Sequence, residues 1–478
     1  MNSLEQHKRM TETPIPRLIT SLAIPTVASQ LIMVVYNTAD TYFVSRISTA
    51  ASGAVGIVFA LQSIIQAVGF GVAMGCQSIV SRRLGEKRDE EAQTAANSGL
   101  VMTLILGVLI MTAGLLTLSP LMKLLGATES LLPLCRDYAR YILFGAPVMC
   151  ASFLLNNILR AEGHATKSML GFCAGGVINM ALDPLFIFVF GMGVSGAALA
   201  TVLSQCVSLC ILSTFFIRKK TIIRITPKSV SRDPKVYWSL LRIGFPTICR
   251  QGMASLASAL LNRGAVMYGA EIAVIPEGAS AAAAALAVEE AKEAALAAMT
   301  ISNKIYMLVR NIVIGIGQGF QPVAGYNYGA GIKKRVKQAF GFSCLVGTAF
   351  CLTAAIVLAA LAPRVISAFR SDPLVVQVGT LALYFGCAVM PLMAFSTFVN
   401  QLYQCLGFSL CATLLACCRQ GFFFVPIVLI LPRYIGLTGI QAVQPLSDLL
   451  TAIVSVPFLI GFYKFVLNKE TVPSAQTA

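Results

Sequence analysis

Two carboxylates inside apolar runs are the residues with the clearest capacity for chemistry. Asp40 lies in Tyr36-Asn37-Thr38-Ala39-Asp40-Thr41-Tyr42-Phe43, and Asp183 in Asn179-Met180-Ala181-Leu182-Asp183-Pro184. A charge in such surroundings is costly unless it is paired, solvated or neutralised, so an acid there points to function. It can take up and release a proton, or hold a cation. Asn179 precedes Asp183 by four residues, which sets both on one helical face and lets the amide donate to the acid. Thr201 and Tyr138, in neighbouring apolar runs, could add further polar contacts. The plainer alternative is that each acid anchors near a membrane interface or caps a helix.

The elements that must position these residues follow from composition. Apolar residues make up 57% of the 478 and charged residues 12%, against roughly 25% charged in soluble domains. A soluble chain could not hide that much apolar surface, so a bilayer is the implied solvent. Stretches long enough to span recur at about 16–45, 52–80, 92–119, 131–160, 165–190, 194–218, 237–268, 297–327, 336–362, 374–405, 408–432 and 438–466. The expectation is an all-α membrane protein of about twelve helices in two six-helix lobes, related by a pseudo-twofold axis along the membrane normal. The net charge of +16 sits in short clusters between the spans, where topology signals belong, so no nucleic-acid partner is expected. Basic clusters follow the even-numbered spans: Arg82 to Arg88, Arg160 and Lys167, Arg218 to Lys235, and Lys333 to Lys337. That pattern predicts a multi-pass protein of the cell inner membrane with both termini cytoplasmic, and it places Asp40 and Asp183 in the outer half of their helices. No cleavable leader is expected from the polar first residues.

The halves repeat. Pro25-Thr26 is matched by Pro246-Thr247, an offset of 221, and Gly75-x-Gln77 with Gly85 is matched by Gly319-x-Gln321 with Gly329, an offset of 244. A repeat holding an even number of helices gives parallel copies, an architecture of alternating-access carriers. The offsets differ by 23 residues (244 − 221), so the second half carries extra material, and the Ala/Glu-rich segment 271–296 is where composition puts it. Its density of charge excludes a thirteenth span. It is expected to form an external, solvent-facing loop and helix, capped at Ser280 and running on into the eighth span. The implied organisation is an N-terminal tail (1–15), an N-lobe (16–218), a cytoplasmic linker (219–236), a C-lobe (237–466) with the insert, and a C-terminal tail (467–478).

The second half lacks equivalent acids. Its seventh span carries Arg250, Gln251, Asn262 and Arg263, and its eighth Asn303, Lys304, Arg310 and Asn311. Asp448 in the twelfth span is the exception, and it is expected to pair with one of these bases as a structural ion pair. Ion coupling would then reside in the first half, with the second contributing to a substrate chamber. Fourteen scattered cysteines without a C-x-x-C pair read as small buried apolar residues, and His7 and His164 alone build no histidine-rich metal centre. The glycine run Gly315-Ile316-Gly317-Gln318-Gly319 lacks the strand and lysine of a nucleotide-binding loop, which argues against ATP-driven pumping by this chain.

Taken together, these motifs resemble the multidrug and toxic compound extrusion (MATE) transporters, over nearly the whole chain. The segments that carry the resemblance are Ile24-Pro25 with Tyr36-Asn37-x-x-Asp40; Gly75 to Gly85; Asn179-x-x-x-Asp183-Pro184 with Gly193 to Thr201; Arg250-Gln251-Gly252; Gln318 to Gly331; and Arg419-Gln420-Gly421 with Gly436 to Ile440. The placement of the acids is closer to the DinF-like bacterial drug exporters than to branches with second-half sodium sites. The resemblance implies antiport of protons or sodium against amphipathic, often cationic drugs and dyes. It implies a coupling site of Asp40, Tyr138, Asn179, Asp183 and Thr201, with Na+ as an alternative occupant at Asp40, Asp183, Asn179 and Thr201. Tyr36, Asn37, Arg250, Gln251, Asn262 and Asn303 are expected at the chamber, and Pro25 as a point of bending. No organic cofactor and no catalytic residue is expected; partners would be drugs or dyes and membrane lipids, with the chain a monomer. Two other readings stand beside this one: a flippase for lipid-linked precursors, and a transport-inactive scaffold.

Overall fold

The computed structural model describes residues 3–273 and 280–467. The middle of the insert (274–279) and nearly all of the C-terminal tail lie outside them. Among the described residues the chain is helical throughout, with no strand. A short helix, α1 (Ser3–Glu12), precedes α2 (Ile15–Ser45), α3 (Thr49–Gly85), α4 (Asp89–Leu116), the short α5 (Leu118–Leu124), α6 (Leu132–Ala161), α7 (Ala165–Pro184) and α8 (Gly193–Ile217). The second half runs through α9 (Pro234–Gly269), α10 (Ala281–Gly329), α11 (Lys333–Phe369), α12 (Pro373–Cys405), α13 (Ser409–Cys417), α14 (Phe424–Ile430) and α15 (Pro432–Gly461). With α13 and α14 joined through a π-helical turn, this makes twelve helical passes. Ten are long and apolar enough to cross a membrane by length and composition; α9 and α10, diluted by polar residues, complete the set. The expected starts lie within about three residues of the observed ones, except for the eighth and twelfth spans.

Local chemistry explains the boundaries. Ser48 opens α3 by accepting the Ala51 N–H at 3.0 Å, as an N-cap should. Asp89, Glu90 and Glu91 fill the first turn of α4 and Arg82 and Arg83 the last turn of α3, each sign favoured by the helix dipole there. Large apolar side chains face outward, Leu116 at 86% exposure and Ile356 at 62%, which only a lipid solvent tolerates in such number.

The chain divides into two compact units. The first holds residues 1–252, 315–340 and 402–410, and the internal repeat is written into its contacts. A Cβ on Gly85 would strike the Tyr326 carbonyl, and one on Gly329 would strike the Arg82 carbonyl. The offset of 244 exchanges these two contacts. Likewise Gly71 meets Ile248 while Gly315 meets Val27. Only residues without a side chain allow backbones this close. Thr26, next to Pro25, donates to the Gly315 carbonyl at 2.6 Å. The helix α2 continues unbroken across Pro25.

The expected N-terminal tail is instead a docked helix. Gln6 and Met10 of α1 are fully buried. Gln6 donates to the Glu162 carbonyl, Ser3 to Asp89 at 2.7 Å, and Arg335 to the Thr13 carbonyl at 2.6 Å. Glu162, itself fully buried, accepts the Ile223 N–H at 2.8 Å and the Ile222 N–H at 3.3 Å from the linker.

The second unit holds residues 253–314, 341–401 and 411–478. The insert is continuous with the eighth pass, as expected: α10 runs 49 residues, roughly 70 Å. Ser280 Oγ accepts the Ala283 N–H at 3.3 Å. The segment is not simply solvent-facing. Ala291, Ala294, Ala295 and Ala298 are buried, and Gly269 of α9 lies against Ala295, small residues on both helices permitting the approach. Glu271 accepts the Leu437 N–H at 3.2 Å, beside the left-handed turn at Gly436 (φ 57°).

Candidate coupling site

The first unit brings Asp40, Tyr138, Asn179, Asp183 and Thr201 together. Asp183 is the penultimate residue of α7, immediately before Pro184. Proline supplies no N–H to the helix ladder, and the chain answers with a π-helical turn over Leu185–Val189, a device common at functional positions. Asn179 Nδ2 lies 3.3 Å from Asp183 Oδ1 and 3.5 Å from Thr201 Oγ1, so one amide joins α7 to α8. Thr201 Oγ1 also donates to the Ala197 carbonyl at 3.1 Å. Tyr138, from α6 and 1% exposed, interacts with Thr201 and with the charge of both acids. Asp40 lies near enough for its charge to act on Asp183, and Tyr36, one turn before Asp40, packs on Gly176 of α7.

The site's chemistry is defined by what is left over. Oδ1 of Asp40 and Oδ2 of Asp183 are buried and accept no hydrogen bond. Among the described residues neither acid enters an ion pair. Carboxylates with spare lone pairs and no fixed cation leave acceptors that a proton or a small cation would satisfy. No group of three or more His, Cys, Asp or Glu side chains suited to a metal occurs among the described residues, so the donors here are two carboxylates with neutral oxygens.

The chamber residues are divided. Tyr36, Asn37, Arg250 and Gln251 belong to the first unit; Asn262 and Asn303 belong to the second. Asn262 is exposed, while Asn303 lines a narrow cavity of about 40 Å³.

Asp448 is paired as expected, and the base beside it lies outside the α9 and α10 set that the sequence offered. Its partner is Arg419, which the π-helical turn Cys418–Phe422 presents. The Tyr306 hydroxyl donates to the same carboxylate, and Gln444 Nε2 does so at 3.2 Å. Arg419 stands 29 residues away in sequence, so only packing joins them. A second group escaped the sequence reading. Gln77 and Gln321, seen there only as repeat markers, line one small buried space with Gln404. Both amide atoms of Gln77 and Gln321 lack hydrogen-bond partners. Their identical spacing in the two halves was the available signal.

The MatE family model matches residues 25–185 and 274–429, one match in each half. The chain is 26% identical over 452 residues to an FAD transporter of Shewanella oneidensis, covering 93% of this chain and 94% of the relative. It is 23% identical over 439 residues to the multidrug export protein MepA of Staphylococcus aureus, covering 91% of each. A solved outward-facing multidrug-resistance MATE transporter superposes with a TM-score of 0.86 at 26% identity, over 96% of this chain and 97% of that one. The paired acids thus sit in a multi-pass membrane protein of transporter architecture, and the chain belongs to the MATE family of multidrug and toxic compound extrusion transporters.

Proposed function

We propose that this protein is a secondary exporter that antiports protons, or sodium, against amphipathic and mainly cationic small molecules. The observation that carries the reading is the pair of acids with buried, unsatisfied oxygens, Asp40 and Asp183. Loading of these carboxylates from outside favours release of a cationic substrate, and unloading inward favours its rebinding. Two carboxylates with Asn179, Thr201 and Tyr138 suit a proton or a monovalent ion better than a divalent one, which usually takes more charged oxygen ligands. The multidrug relative supports drugs and dyes as cargo. In this reading the chain works as a monomer in the cell inner membrane, with both termini cytoplasmic.

A second reading is export of an anionic aromatic molecule. The FAD transporter relative favours it, together with the bases Arg250, Arg263, Lys304 and Arg310 in α9 and α10. Lipid-linked precursors would call on the same bases. Proteoliposomes separate the readings. Uptake of ethidium driven by an imposed proton or sodium gradient supports cation antiport, whereas gradient-driven movement of FAD alone supports the second reading. Movement of neither under any gradient removes both.

A further inference from the structure

The cavity bordered by α9, α10, α12 and α15 in the second unit carries an unmet chemical demand. Gln441 of α15 is 4% exposed and lines it. Its Nε2 donates to the Val378 carbonyl at 2.9 Å. That bond settles the orientation of the amide, because a carbonyl only accepts. The Gln441 Oε1 is then left buried with no donor, an arrangement that natural cores rarely leave unanswered.

Two of the neighbouring donors are turned elsewhere. The Tyr306 hydroxyl and Gln444 Nε2 both serve Asp448, whose charge Arg419 already balances. The walls are largely apolar, with Leu261, Met299 and Ile440 among them. A bare cation meets no free carboxylate among the lining residues, and the half-buried Asn303 offers a donor and an acceptor there, so the fully buried demand is that of the Gln441 oxygen for a donor. A molecule with an apolar body and an N–H group satisfies both the walls and Gln441.

We propose that this cavity binds the N–H-bearing end of an amphipathic substrate, an arylamine, amide or amidine, with Gln441 Oε1 as the specificity-determining acceptor. The biological meaning of this site rests on the export reading, but its occupancy does not. A site built around one hydrogen bond disfavours analogues that lack the donor.

The test uses the purified full-length protein and two cationic dyes: ethidium, which carries arylamine N–H groups, and tetraphenylphosphonium, which carries none. Gln441→Met should raise the ethidium Kd about tenfold and leave that of tetraphenylphosphonium unchanged. A second variant leaves Gln441 intact. A Cβ on Gly386 meets only the Tyr306 ring, 3.3 Å away, so Gly386→Ala narrows the cavity and should weaken ethidium selectively. Gly386→Ala also decides the matter if Gln441→Met fails to fold. The proposal is overturned if the unaltered protein does not bind ethidium, if neither variant changes its Kd, or if both dyes weaken equally. Ethidium binding through Gln441 without any gradient-driven transport would keep this site and remove the export reading.

Discussion

Asp183 and Asp448 begin from the same design. Each is a fully buried carboxylate on a long helix, and each receives an amide from four residues earlier, Asn179 at 3.3 Å and Gln444 at 3.2 Å. They differ in what else arrives. Asp448 gains the Arg419 guanidinium and the Tyr306 hydroxyl, which occupy its lone pairs and balance its charge. Asp183 gains a second acid, Asp40, and one of its oxygens stays empty. A carboxylate satisfied by a fixed cation has little use for a transported one. A carboxylate with spare acceptors beside a like charge gains most from a proton or a cation. The two acids are not repeat equivalents, since Asp183 lies in the fifth pass and Asp448 in the twelfth, yet the side chains that reach each one leave the first with a spare oxygen and the second fully engaged.

The largest effect should come from breaking the satisfied side. Arg419→Leu leaves Asp448 buried without its cation, a loss of about 3–5 kcal/mol that a thermal melt of the purified protein would record. Adding Asp448→Leu should recover most of it, since an apolar pair needs no solvation. A single variant as stable as the parent would erase the contrast between the two acids.

On the unsatisfied side, Asp183→Asn keeps the shape and the bond to Asn179 but removes the titration. Gradient-driven dye efflux in proteoliposomes should fall to the level of empty vesicles, while the melting temperature moves little. Efflux that persists with its pH dependence intact would take Asp183 out of the coupling site.

Glu162 offers an intermediate case outside the spans, a buried acid that accepts two backbone N–H groups and has His164 Nε2 at 3.8 Å. Burial pushes its carboxyl up from 4.5 to about 7, against the pull of those two bonds. The folded state therefore holds the proton more tightly than the unfolded one. Its contribution to stability is complete below pH 4.5 and is lost as pH rises through about 7, roughly 3 kcal/mol in all. His164, lowered to about 4 chiefly by burial, acts in the opposite sense: its contribution is complete above pH 6.5 and is lost as pH falls through about 4. Comparing Glu162→Gln with the parent isolates the first effect. Between pH 5 and 8 the parent should lose roughly 2–3 kcal/mol relative to the variant; parallel stability profiles would contradict it.

The smallest change is expected at Asp40. If the two acids share the load, Asp40→Asn should slow efflux roughly tenfold, the scale of one pKa unit, and make its pH dependence shallower by one proton. An effect as complete as that of Asp183→Asn would instead make Asp40 an equal partner.

Much of this was legible in the residues. Apolar length set the spans, and motif spacing exposed the duplication. The Asn179–Asp183 bond follows from helical periodicity, because both ends lie on one element four residues apart. The insert's continuity with α10 follows from the helix-forming strength of alanine and glutamate. The N-terminal segment was harder, since its ten helical residues are too few to hold a helix alone and gain their order from the buried Gln6 and Met10.

What only tertiary structure decided is which side chains meet across helices. Tyr36, one turn from Asp40, reaches Gly176 of α7 from 140 residues away (176 − 36), and Arg419 reaches Asp448 across 29, distances over which sequence holds no local geometry. Periodicity gives the face of a helix, but a partner depends on rotation, tilt and the π-helical turns near Asp183 and at Arg419. The sequence by itself determined a duplicated membrane bundle with acids in unusual places. Packing determined which acid is satisfied and which is left with work to do, because a hydrogen bond or ion pair forms only within a few ångströms and at the right angle.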